Sequence, residues 1–199
     1  MDWLRWHRAN PFHLYCLGFW IVFGIGSLAL LPLTDGISIF GVLILPAPII
    51  GTIKGMQPVA THFLQGDLLP GIVVGTEPYT VASITDLSAV PNLSYPTVRI
   101  LPHDLQRIRE RRFQTGDRLP MVARYRGNEP TPKWDSFHPV AAVFATGDPI
   151  ELAALESRIL DSAWIALNEA LFQVPQPFCN GLFPVISERS GDENLAMSD

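Results

Sequence analysis

Hydrophobic and polar positions divide the chain at Lys54. Between Arg8 and Asp35 no residue carries a fixed charge, and Leu14 to Leu33 reads LYCLGFWIVFGIGSLALLPL. About twenty residues of helix, at about 1.5 Å each, cross a hydrocarbon layer of roughly 30 Å. A helix is required there because lipid offers the backbone no hydrogen-bond partner. A second uncharged run, Ile37 to Ile53, follows a turn at Thr34-Asp35-Gly36 and is interrupted by Pro46 and Pro48. It lies at the short limit for a span, so it either crosses or re-enters. The pattern predicts a transmembrane hairpin over residues 11–54. Residues 1–10, in which Trp3 and Trp6 alternate with Arg5 and Arg8, form an amphipathic lead. Arg5, Arg8 and Lys54 flank the hairpin and its turn has no Lys or Arg, which places both termini in the cytoplasm and the hairpin in the inner membrane. A cleaved signal peptide fits less well, because no small-x-small site closes the first run and a second run follows.

After a linker over residues 55–66 the period changes to two. Pro70 to Leu87 reads as a β-hairpin, with Ile72-Val73-Val74 on one arm, Thr80 to Thr85 on the other and Glu77-Pro78 at the turn. Thr97 to Leu101, Leu119 to Tyr125 and Val140 to Thr146 are three further strands. His103 to Arg112 places Leu105 and Ile108 on one face of a short helix. Asp148 is an N-cap and Pro149 fills the first helical position, so an amphipathic helix runs from there to about Phe172. Val174 to Ile186 is extended, broken by Pro175, Pro177 and Pro184, and residues 188–199 are a disordered acidic tail. The predicted fold class is α+β: a two-helix transmembrane hairpin, then a cytoplasmic domain over residues 67–187. That domain is a small, mostly antiparallel β-barrel or sandwich of about five strands with a C-terminal amphipathic helix.

Charge changes this picture in one place. The net charge is −5, which gives no global case for nucleic acid. From Arg99 to Arg126, however, eight arginines face three acids, and from Gly127 onward three basic residues face eleven acidic ones. Arg107, Arg109, Arg111 and Arg112 form the densest group. Anionic headgroups attract such side chains by roughly 1 kcal/mol each near a bilayer. Trp134 and Phe137 either plug an open barrel end or line a partner groove. The expected partners are therefore the lipid bilayer, anionic lipid headgroups and a membrane protein complex, with these six residues as lipid- or partner-binding candidates. Two cysteines, Cys16 and Cys179, are far apart in sequence, which fits a reducing compartment better than a disulfide framework.

The motifs that carry common chemistries are absent: no P-loop, GxGxxG, HExxH, GxSxG or zinc-ligand spacing occurs, and no cofactor is implied. His103-Asp104, and Asp135 with His138, are the His–carboxylate neighbours, with Ser136 and Cys179 as nominal nucleophiles. Spacing gives no support to a histidine metal site. The series PGIVV at 70–74, PTVRIL at 96–101, GDRLPMVARY at 116–125 and WDSFHP at 134–139 resembles an uncharacterised bacterial family, a domain of unknown function, over roughly residues 66–150. The resemblance implies a small β-rich domain and carries over no catalytic residue. The leading functional expectation is a membrane-anchored, non-catalytic interaction module, an accessory subunit of a membrane complex. The alternative is a membrane-tethered hydrolase using the residues around 135–138.

Overall fold

The computed structural model describes residues 15, 18–19, 21–23, 25–26, 62–108, 111–127 and 132–186. Its centre is one six-stranded antiparallel sheet in the order β5-β4-β1-β2-β3-β6. The strands are β1 (Asp67–Thr76), β2 (Tyr79–Asp86), β3 (Pro96–Pro102), β4 (Arg118–Arg126), β5 (Ser136–Ala141) and β6 (Gly181–Pro184). The sheet curls until β5 approaches β3, but these two strands are not joined in the ladder. An open, curled half-barrel therefore replaces the expected barrel or sandwich, and its strands among the described residues number six against about five expected.

Both faces of this sheet are apolar, and alternation sorts them. Leu69, Val73, Val81, Leu119, Met121, Ala123, Phe137 and Ala141 point to the inner face. Leu105, Ile108, Phe113, Val143 and Phe144 fill that hollow from the connecting segments. The outer face presents Ile72, Ala82, Val98 and Ile100 to a helical layer. Fully burying one such aliphatic or aromatic side chain is worth about 1.5–3 kcal/mol, so two cores on opposite faces fix the register of every strand between them. Gly71 marks the tightest point of the inner face. A Cβ there would collide with Met121 Cγ and lie 2.9 Å from Leu119 O. Gly116, at φ +93°, makes the turn into β4 in a region that disfavours other residues.

Two helices, α1 (Pro149–Ser157) and α2 (Asp161–Leu171), lie between β5 and β6 in the chain. Asp148 caps α1 by accepting from the Ile150 N–H at 2.8 Å, and Pro149 takes the first position. The single long helix expected here is divided, because Leu160 is extended (φ −60°, ψ 141°). The break lets Ile159 reach the outer-face core while α1 itself buries no residue. Trp164, Leu167 and Ala170 of α2 then pack against the sheet, with the Arg118 guanidinium 5.0 Å from the Trp164 ring centroid. The helix expected over His103–Arg112 is reduced to one 3-10 turn at Leu105–Arg107. The last strand before the helices starts earlier than expected: β5 holds Ser136 to Ala141, and Ala142–Phe144 turn as a 3-10 helix.

The membrane-spanning part of the expected fold class is corrected as well. The described residues of the first apolar run lie between Tyr15 and Gly26 and are helical and exposed. Among the described residues no helix is long and apolar enough to cross a membrane. The structure thus gives no footing to the transmembrane hairpin, to an inner-membrane location with cytoplasmic termini, or to the bilayer, anionic headgroups and a membrane complex as partners. The amphipathic lead, the turn at residues 34–36, the second apolar run, most of the linker, Arg109 and the acidic tail lie outside the described residues.

Candidate functional site

Two surface cavities flank the helical layer. One, of about 390 Å³, lies between the end of α2 and β6 and is lined by Ile84, Phe172, Val185 and Ile186 among others. The other, of about 530 Å³, is lined by Arg118, Trp164, Glu156 and Asp161 among others. Neither is lined by a histidine. The titratable side chains gather elsewhere, where β3 and β5 approach.

That seam is built from three segments distant in sequence. Arg99 sits in the middle of β3, opposite Ser83 of β2 and Leu182 of β6, and so shares the inner face with both. Ser83 is buried and donates to Pro70 O at 2.7 Å. The Arg99 Nε is buried without a hydrogen-bond partner, and no carboxylate pairs with this guanidinium among the described residues. Four positions on, His103 continues the ladder through its N–H to Tyr79 O at 2.9 Å. Its ring stacks on Phe144, centroids 6.2 Å apart, and its Nε2 is likewise buried and unpartnered. His138 stands on β5 opposite Arg124. The His62 ring lies edge-on to it, 6.5 Å between centroids, and the His62 Nε2–H donates to Val122 O at 2.8 Å.

Burial first, and neighbouring bases and cations second, set the titration of the three histidines. Burial, reinforced by the neighbouring His138 and opposed only weakly by Asp104, pulls the His103 imidazole down to about 4. Burial, then His62 and Arg99, lower His138. His62 is lowered by burial and by Arg124, against the pull of its bond to Val122 O. At neutral pH the histidines are therefore neutral, and Arg99 and Arg124 hold the positive charge. A buried polar atom left unpaired costs about 1–3 kcal/mol, and Arg99 Nε and His103 Nε2 are two such atoms.

The residues singled out from the sequence are distributed differently. Arg107 pairs with Asp104 at 3.4 Å, and Arg111 pairs with Asp117 at 3.5 Å while lying over the Phe113 ring. Arg112 is exposed. Phe137 is buried at 2% exposure on the inner face, and Trp134 packs by Tyr125 with ring centroids 6.0 Å apart. Trp134 also donates its backbone N–H to Leu87 O at 2.8 Å, closing the loop over the sheet end. The arrangement a hydrolase needs is missing among the described residues. Asp104 is engaged by Arg107, Ser136 makes no hydrogen bond to His138, and the Cys179 thiol donates to Pro177 O at 3.3 Å in an exposed turn. Among the described residues no group of three His, Cys, Asp or Glu side chains stands close enough to hold a metal ion. Sequence reasoning missed Arg99. Its signal was a charge in the centre of the apolar strand TVRIL, where its neighbours Val98 and Ile100 are fully buried.

The profile of a family described as a protein of unknown function, DUF3239, matches residues 54–174. The chain belongs to the DUF3239 family. The DUF3239 match spans all of β1 to β5 and both helices, so the seam lies wholly within it. No curated protein matches the chain. Among solved structures, a presumptive membrane protein from Corynebacterium diphtheriae is similar, with 22% identity and a TM-score of 0.47 over 60% of this chain and all of that one.

Proposed function

We propose that this DUF3239 domain is a non-catalytic binding domain for a small oxyanion, carboxylate or phosphate in class, at the seam between β3 and β5. One observation carries the reading: Arg99 Nε and His103 Nε2 are both buried and unpartnered, and among the described residues no carboxylate pairs with Arg99. Arg99 supplies the permanent cation, and its planar fork suits the flat, divided charge of an oxyanion. The neutral His103 contributes an N–H from a ring held in place by its stack on Phe144.

Isothermal titration of the full chain with inorganic phosphate and with citrate tests this. Saturable binding that Arg99→Met abolishes, with the variant's thermal unfolding still cooperative, is the expected result. Equal heats for both proteins, or none for either, would remove the reading.

A further inference from the structure

We propose that the cavity where α1 gives way to α2 binds a free α-amino acid with an apolar side chain, taken as its zwitterion. At about 530 Å³ it has the size of a small-ligand site. It shares no lining residue with the seam, so the proposal stands independently of the anion-binding reading. The break between the helices builds it. Leu160 is extended, so α1 ends at Ser157 and α2 begins at Asp161, and Glu156 and Asp161 come to line one cavity. Arg118 opens β4 opposite Ile72 of β1 and so lies on the outer face that the helices cover. Its guanidinium is 5.0 Å from the centroid of the Trp164 ring, and that residue is 2% exposed. A contact of this kind holds a cation in place without neutralising it.

The arrangement of charge selects the ligand. Arg118, Glu156 and Asp161 line the same cavity, yet among the described residues none of the three is in an ion pair, and neither carboxylate accepts a hydrogen bond. Glu156 is also half-buried. The ring keeps the guanidinium from either acid, and opposite charges stay separated across one hollow. A ligand with a carboxylate alone would satisfy Arg118 but meet two acids. A simple amine would satisfy the acids but meet the guanidinium. An α-amino acid carries both signs a short, fixed distance apart. Its carboxylate suits the planar fork of Arg118, and its ammonium suits Glu156 and Asp161. Ala153, Ile159 and Leu160 complete the lining, the last 73% exposed, and give an apolar side chain its surface.

Calorimetric titration of the full chain at pH 7 compares L-leucine with two analogues. Leucinamide lacks the carboxylate charge, and 4-methylpentanoate lacks the ammonium. Leucine should bind saturably and each analogue at least about tenfold more weakly, because each leaves one side of the site unanswered. Arg118→Met should weaken leucine binding by a similar factor. The double variant Glu156→Gln, Asp161→Asn should do the same while keeping the Arg118 contact with Trp164, so the test survives if Arg118→Met fails to fold. Arg99→Met should leave leucine binding unchanged. No saturable heat with leucine at millimolar concentration would overturn the proposal. So would an analogue that binds as tightly as leucine, which would make this a plain anion or amine site. Loss of leucine binding in Arg99→Met would assign the amino acid to the seam and overturn it as well.

Discussion

Replacing Arg99 by methionine should stabilise the ligand-free domain, an outcome opposite to that of most substitutions at a covered position. Arg99 occupies the middle of β3 with its Nε buried and without an acceptor. Leaving such a group unpaired costs about 1–3 kcal/mol. Methionine keeps an unbranched stem of similar reach, removes the orphaned N–H and offers apolar surface to Leu182 across the ladder. Part of the gain is lost because the arginine is only half-buried and its outer nitrogens can be hydrated. The net expectation is an increase of about 1–2 kcal/mol in unfolding free energy, read as a higher urea midpoint at unchanged slope. In a thermal scan this is a rise of about 3–8 °C for a domain of this size. Adding phosphate should then narrow the gap, because only the wild-type chain gains from the ligand. If the variant is instead destabilised by 1 kcal/mol or more without ligand, Arg99 has an internal partner and the premise of the site is wrong.

Three further outcomes follow from the geometry. The folded-state pKa of His103, about 4, lies below the ordinary value of 6.5, so its contribution is fully present above pH 6.5 and is lost as pH falls towards 4. Linkage puts the loss at about 2 kcal/mol by pH 5 and about 3 kcal/mol below pH 4. His103→Met, which keeps a sulfur contact to the Phe144 ring, should show a correspondingly shallower acid decline in urea titrations, and an unchanged decline would contradict the assignment. Gly71→Ala would force Met121 and the β4 backbone apart and should cost about 1–3 kcal/mol; a circular-dichroism melt within 1 °C of wild type would show that the inner face is looser than described. Trp164→Ala empties the centre of the outer core, where this ring is 2% exposed, and should cost about 3–5 kcal/mol, measured as loss of cooperative unfolding or a large drop in midpoint.

Much of the sheet was legible because alternation survives wherever one residue in two meets the inner core. Thr80 to Thr85, Thr97 to Leu101 and Leu119 to Tyr125 fall inside β2, β3 and β4. The start of β5 was not legible, since VAAVFAT is the more apolar run. Yet SFHPVA, with Ser136 and His138 turned away from Phe137 and Ala141, makes the ladder with β4. The apolar run that follows bends into a 3-10 turn so that Val143 and Phe144 close the hollow. The break at Leu160 has neither Gly nor Pro to announce it. It reflects a tertiary demand, the burial of Ile159 against the outer face, that no helical period contains. The seam was the least visible feature. His62, Arg99, His103 and His138 are brought near one another only by the curl that carries β5 towards β3, and that curl depends on a strand order read from none of these residues individually. The arginine cluster at 107–112 drew attention by density, whereas in the fold Arg107 and Arg111 are balanced by Asp104 and Asp117 and Arg99 is not.

The most direct test is an NMR titration of the imidazole resonances of the full chain with inorganic phosphate at pH 7, in wild type and in Arg99→Met. The anion-binding account predicts saturable shifts of the His103 signals, with no such shifts in the variant. His103 signals that stay in place up to millimolar phosphate, or that move equally in both proteins, would contradict it.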